Sequence, residues 1–416
     1  MNAPPFTLEL ARRVAARGGR ALLVGGPVRD HLLHRPVNDW DVEVFGLPED
    51  KLVEVLRGLG RVNAVGRSFG VYKIQSKGSE YDVSMPRRDS KIGAGHRGIH
   101  VEGDPDMSPK EAARRRDLTI NAMMCDPLTG EVIDPWGGRD DLAARRLRAV
   151  DDDTFLEDPL RALRVAQFAA RLGFTADPAL VALCRTAALH ELPAERIQGE
   201  WVKLLLKGVQ PSRGMRFARE AEILSRVFPE VVDDPATDAM LDRLTLPRAG
   251  LGPEGRQLAA MLLCWLHRTP IADAERTLDR LWIHRVGSYA ARERILAALP
   301  HLGATPPDAR ALRTLSTQAE VWLTLTVRGA VFEDPEIPDA IDRAIALGVL
   351  TDPPEALLKG RDVTSLGVTP GPAMGQLLKA LYALQIDGTV ATREQALEQA
   401  KVRIAAQAVV DRDATG

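Results

Sequence analysis

The stretch "LLVGGPVRDHLLHRPVNDWDVEVFG", residues 22–46, decides the reading of this 416-residue chain. An apolar run closes on Gly25-Gly26, and Pro27-Val28-Arg29-Asp30 then opens a helix. Proline suits the first helical turn, where its missing N–H has no partner to lose. Glycines let a backbone approach a ligand closely, and the free N–H groups of a helix start attract anions. Arg29 adds a forked cation, so this turn is a candidate phosphate cradle. Asp39 and Asp41 follow two apart on an expected strand (39–45), which puts both carboxylates on one side. Two like charges that close call for a cation, and Mg²⁺ takes a few carboxylates together with substrate phosphates. Asp82, in "YDV" on a later strand, is a candidate third carboxylate.

Outward from this motif, "RALLV" (20–24), "VYKIQ" (71–75) and "EYDVSM" (80–85) read as further strands, and "EDKLVEVLRGLG" (49–60) as a helix with a glycine stop. From about residue 150 the sequence reads as helix almost throughout, broken by glycine and proline clusters. The expected fold is therefore α+β: an α/β head (1–148), a helical neck (149–210), a helical body (211–335) and a helical tail (336–416).

Composition narrows the classes. Hydrophobic residues make up 45% and the formal net charge is −2, so a core is affordable and no global positive field draws the chain to nucleic acid. Any RNA contact must use local basic surface. Three separated cysteines exclude a disulfide framework and suit a reducing, cytoplasmic setting. No signal peptide and no membrane span are expected. The eight histidines are scattered and His267 precedes Arg268, so no second metal-dependent hydrolase is expected.

Five ordered motifs then carry a resemblance. Gly25-Gly26, Arg29-Asp30 and Asp39-x-Asp41 resemble the nucleotidyltransferase head of the polymerase beta superfamily. "RRDLTINAM" (115–123), "DPWGGRDDL" (134–142), "EDPLRALRVAQFAARLGF" (157–174) and "ERIQGEW" (195–201) resemble successive motifs of the class II tRNA nucleotidyltransferases and bacterial poly(A) polymerases. The resemblance implies transfer of C and A from CTP and ATP to the tRNA 3′ end, without a nucleic-acid template and with Mg²⁺ on Asp39 and Asp41. It implies that Arg115, Arg116, Asp117 and Asn121 hold ribose and triphosphate. It gives base choice to Glu157, Asp158 and Arg161, with Arg164 on the same helix face.

The physical reason is that C and A both offer an amino donor beside a ring-nitrogen acceptor, which a carboxylate and a guanidinium can meet together. Arg196 is expected to brace that helix, and "DPWGGRDDL" to seat the head on the neck. Residues 86–112 read as a mobile loop, which the family needs for adding the terminal A. "TPGPAMG" (369–375) reads as a turn before a helix, with a possible grip on an RNA phosphate. An A-only enzyme, a poly(A) polymerase and a catalytically silent RNA-binding protein on the same fold share these motifs.

Overall fold

The computed structural model describes residues 3–37, 39–59, 61–63, 71–76, 79–91, 99–245, 248–303 and 308–413. It divides into two compact units, residues 1–229 and 230–416.

The first unit opens with α1 (Pro5–Ala15), then β1 (Arg20–Val24), α2 (Gly26–Leu32), β2 (Trp40–Phe45), α3 (Glu49–Arg57), β3 (Arg61–Asn63), β4 (Val71–Ser76) and β5 (Ser79–Ser84). Next come β6 (Arg87–Lys91), β7 (Ile99–Gly103), α4 (Pro109–Arg114), β8 (Met124–Cys125), β9 (Val132–Ile133), α5 (Gly138–Ala143) and β10 (Arg146–Leu147). Seven strands form one sheet in the order β3-β4-β5-β2-β1-β8-β9. β2 lies antiparallel to β1 and parallel to β5, in a register that sets Asp41 opposite Asp82. Leu22, Val24, Phe45, Ala112, Ala122 and Met124 form a core beside this sheet. The expected strands agree with β1, β2, β4 and β5, except that β2 begins at Trp40 and Asp39 immediately precedes it. The expected helix at 49–60 stops at Arg57, capped by Gly58.

The segment 86–112 departs from expectation. β6 and β7 pair antiparallel, Arg87 opposite Gly103 through Lys91 opposite Ile99. Beyond them, α4 starts at Pro109 with a capping box between Ser108 and Glu111. A two-strand ladder needs only backbone groups, so it leaves no apolar period to read. Gly93, Gly95, His96, Arg97 and Gly98 lie outside the described residues.

The neck follows as α6 (Asp152–Leu156), α7 (Leu160–Leu172), β11 (Thr175–Ala176), α8 (Pro178–Thr186) and α9 (Ala194–Lys207), with α10 (Pro211–Glu220) and α11 (Ile223–Val227) continuing the same unit. α7 ends on Gly173 at φ 71°, a left-handed cap. The expected limit at 210 passes through a tight contact. A Cβ on Gly214 of α10 would come within 2.7 Å of the Ala166 carbonyl of α7, and one on Gly208 within 3.1 Å of Ala170. The small residues bring α10 against α7, so the compact unit runs on to Pro229.

The second unit comprises α12 (Ala236–Thr245), α13 (Glu254–Trp265), α14 (Ile271–Arg280), α15 (Ala291–Ala298), α16 (Ala309–Ser316), α17 (Val321–Phe332), α18 (Ile337–Ala346), α19 (Gly360–Thr364), α20 (Pro372–Asp387) and α21 (Arg393–Asp413). Leu312, Val321, Leu325, Ile337, Ala340 and Ala344 share one core, so the expected cut at 335/336 falls between packed helices. The turn at 369–375 leads into α20 as read. No helix among the described residues is long and apolar enough to cross a membrane.

Candidate nucleotide site

A cleft of about 590 Å³ in the first unit gathers most of the residues singled out in the sequence. Gly25, Gly26, Arg29, Asp39, Asp41, Arg115, Arg116, Asp117, Asn121, Asp158, Arg161 and Arg164 all line it. Glu157 and Asp82 do not. Glu157 caps the C-terminus of α6 at an exposed position, before the chain turns into α7. Asp82 faces Lys73 across the β4–β5 ladder at 3.4 Å.

One edge of the cleft comes from the head. β1 delivers the chain to Gly25, whose φ of 74° is the left-handed region that glycine enters without strain. A Cβ at Gly25 would stand 2.8 Å from Arg116 Nη1, so the guanidinium lies against the bare α-carbon. Burial pushes the Asp41 carboxyl above its ordinary value; Arg116 opposes the shift and the charges of Asp82 and Asp39 add to it. Burial likewise lowers Arg116, against the pull of Glu43 and Asp41. Neither Asp39 nor Asp41 forms a hydrogen bond or salt bridge with a described residue.

The opposite wall comes from α7 and α9, and its charges are paired. Arg164 forks Asp117 with Nε at 2.8 Å and Nη2 at 2.7 Å. Asp117 also accepts from Asn121 Nδ2 at 3.0 Å and from the Leu118 amide at 2.7 Å. Burial alone would raise this carboxyl, but Arg164 and these hydrogen bonds outweigh it and bring it down to about 2. The chain of contacts continues from Asn121 to Arg29, whose Nη1 donates to Asn121 Oδ1 at 2.6 Å. Arg29 and Arg164 both lie over the Phe168 ring, at 5.2 and 5.3 Å. Arg196 reaches from α9 to fork Asp158 at 3.1 and 2.9 Å, which is the bracing role read from the sequence. Burial opposes ionisation of Asp158, and the Arg196 bonds hold its pKa below the ordinary value nonetheless. Arg161 donates to the carbonyls of Thr154 and Arg115, at 2.5 Å each. Asp158 and Arg161 thus lie in one cleft, each held by other partners.

Among the lining residues that the sequence reading did not single out are Gln167, Phe168, Arg171, Lys203 and Lys207. The three cations sit on α7 and α9, and their helical spacing next to the motif residues was the available signal. Glu43 was also missed. It continues the alternation of Asp39 and Asp41 and is fully buried against Arg115 and Arg116.

This geometry agrees with what the chain resembles. The family described as "Poly A polymerase head domain" matches residues 21–148, and "Probable RNA and SrmB- binding site of polymerase A" matches 173–234. These matches make the first unit of the chain similar to the class II tRNA nucleotidyltransferases. Among relatives, the "Multifunctional CCA protein" of Aromatoleum aromaticum is 43% identical over 217 residues, 51% of this chain and 51% of that protein. The protein of the same name from Stenotrophomonas maltophilia is 41% identical over 216 residues, 50% of this chain and 51% of its own length. The chain therefore spans about half the length of the curated relatives it matches. A Bacillus stearothermophilus CCA-adding enzyme solved in complex with CTP aligns over 97% of this chain and all of its own, with a TM-score of 0.73 and 25% identity. The Thermotoga maritima CCA-adding enzyme complexed with tRNA shares the fold, with a TM-score of 0.68 and 20% identity over 97% of this chain and 96% of that one.

Class II nucleotidyltransferases generally use a divalent metal. The head edge fits one. Asp41 is a half-buried carboxylate with Asp39 and Asp82 as like-charged neighbours, and a hard cation offsets that repulsion. Among the described residues no three His, Cys, Asp or Glu side chains form a ready metal cluster. Asp39 and Asp41 would supply two oxygen ligands, and substrate phosphates the others.

Proposed function

We propose that this chain adds C and A nucleotides to the 3′ end of tRNA, using CTP and ATP without a nucleic-acid template and releasing pyrophosphate. In each step the RNA 3′-hydroxyl gives up its proton and its oxygen bonds to the α-phosphorus, while the bond to the β-phosphate breaks. The observation that carries the reading is the division of one cleft: unpaired carboxylates on the head edge, and an Asp–Arg network on the neck wall. Mg²⁺, when held by Asp39 and Asp41, supplies charge neutralisation at the reacting oxygens. Arg116 lies against Gly25, where phosphate would pass. Asp117 already accepts from Arg164, Asn121 and the Leu118 amide, so its part is to hold Arg164 and Asn121 in place beside the ribose. Asp158 and Arg161 face the base as acceptor and donor. Holding the reactants in line supplies much of the rate, because little covalent chemistry is asked of the protein.

The experiment supplies purified protein with tRNA lacking CCA, tRNA ending in CC and an unrelated RNA, and sequences the products. Stepwise C, C and A on the first substrate supports the proposal. Addition of A alone to the CC-ended tRNA makes it an A-only enzyme. A-tails on any RNA make it a poly(A) polymerase. No incorporation in Mg²⁺ leaves a silent RNA-binding protein on this fold.

A further inference from the structure

Glu43 is a buried charge behind this cleft that the proposed reaction does not use directly. It follows Asp39 and Asp41 at alternate positions, so β2 turns it to the same side while Val42 and Val44 enter the core. Its side chain has no exposed surface. Arg115 Nη2 donates to Oε1 at 2.7 Å, and Arg116 Nη2 stands 3.7 Å from Oε2. Oε2 itself has no hydrogen-bond partner among the described residues, and neither has Arg116 Nε. A buried carboxylate is costly unless cations hold it, and two guanidiniums on consecutive residues repel unless an anion lies between them. The Arg115 charge does act against that of Arg116, and Glu43 acts for it. Both arginines line the cleft, and Arg116 is the one laid over the α-carbon of Gly25.

We infer that Glu43 is a positioning residue for the nucleotide's phosphates: its carboxylate holds Arg115 and Arg116 side by side, so that Arg116 meets the triphosphate across the Gly25 turn. One carboxylate against two guanidiniums leaves one net positive charge facing the cleft. Without Glu43 the guanidiniums would separate and Arg116 would leave the turn. The inference rests on the nucleotide-binding reading given above.

The test is Glu43→Gln, which keeps the shape and one acceptor but removes the charge. Equilibrium binding of ATP, CTP, pyrophosphate and adenosine to the RNA-free protein is measured beside thermal unfolding. ATP, CTP and pyrophosphate should each bind about tenfold more weakly, the loss of one charge-assisted contact. Adenosine, which carries no phosphate, should keep its affinity. In turnover, KM for both nucleotides should rise by the same factor while kcat changes less. Adding Glu43→Gln to Arg116→Ala should cost no further phosphate affinity, because the two act through one contact. A folded variant that binds ATP and pyrophosphate as the parent does overturns the inference and leaves Glu43 a folding counter-charge. Equal losses for adenosine and pyrophosphate overturn it too. Should Glu43→Gln fail to fold, Glu43→Asp keeps the charge but shortens its reach, and the same selective loss of phosphate affinity is required of it. Because these affinities are read without RNA, a parent protein that incorporates nothing would remove the proposed reaction and still leave this comparison standing.

Discussion

On the neck wall of the cleft, Asp158 is forked by Arg196, Arg164 forks Asp117 of the head, and Arg161 is bonded to two carbonyls. On the head edge, Asp39 and Asp41 lie close in sequence with no described partner, and burial raises Asp41. The wall is complete in the protein alone, and the edge is not. A surface that must present fixed donors and acceptors to a base gains from being braced beforehand. A surface that must gather a cation and phosphates has to leave oxygens unused. The same contrast says which changes should be lost at the chemical step and which at recognition.

The largest effect belongs to the edge. Asp39→Ala or Asp41→Ala should cut incorporation of both C and A by at least on the order of 10³-fold, with tRNA affinity near normal. Near-parental turnover by either variant in Mg²⁺ would remove the metal role from the edge and break the comparison. Gly25→Ala comes next. The new Cβ takes a left-handed φ of 74° and meets Arg116 Nη1 at 2.8 Å, so the guanidinium must move. Strain of about 1–3 kcal/mol is expected in the unfolding free energy. KM for CTP and ATP should rise together, and an unchanged KM would show that Arg116 need not lie on the turn.

Much of the edge was legible because its signals are local. Gly25-Gly26 lie in one turn, Asp41 lies in β2 and Asp39 immediately precedes it, so spacing along a short stretch brings the two carboxylates near each other. The same alternation extended to Glu43, but its counter-ion Arg115 is 72 residues away. No period in the sequence announces a pair at that distance. The wall was legible as a helix bearing Asp158, Arg161 and Arg164, and Arg196 was read correctly as its brace. Its actual bonds were not legible: Arg161 reaches the carbonyls of Thr154 and Arg115, and Arg164 reaches Asp117 rather than another neck residue. The β6–β7 hairpin was hidden for a different reason, since backbone pairing leaves no mark on side-chain pattern. Near the expected limit at 210, Gly208 and Pro211 look like a linker in the sequence, yet Gly208 and Gly214 serve a close helix contact.

The wall's bracing can be measured through Asp117. Its folded pKa of about 2 lies below the ordinary 3.8, so it favours the folded state wherever the unfolded carboxyl is ionised. That contribution is fully present above about pH 4 and is lost as the pH falls through 2. Asp117→Asn should therefore lower stability at pH 7 by about 2 kcal/mol, with the gap from the parent closing between pH 4 and pH 2. Denaturant unfolding across that range checks it. A gap that stays constant to pH 2 would mean that Arg164 and Asn121 do not hold the charge.

The smallest change in rate should carry the most information about the wall. Arg161 spends one bond on each of two carbonyls, which fixes its plane and leaves other donors of the guanidinium for a ligand. Asp158, fixed by Arg196 and by the Leu160 amide, keeps acceptor capacity on Oδ2. Under the proposed function the two would together meet the amino group and ring nitrogen shared by C and A, and oppose the reversed order on U and G. Arg161→Ala removes the donors, so discrimination against UTP and GTP should fall by about tenfold or more relative to CTP and ATP, the cost of one such hydrogen bond. Arg196→Ala should shift discrimination in the same direction but less, because Asp158 stays in place with one brace lost. Competition assays with all four nucleotides on tRNA ending in CC, followed by sequencing of the added base, separate the two variants. Lower activity with unchanged preference in Arg161→Ala would move base choice off this wall. A larger loss of preference from Arg196→Ala than from Arg161→Ala would give the selecting role to the Asp158 carboxylate and its brace.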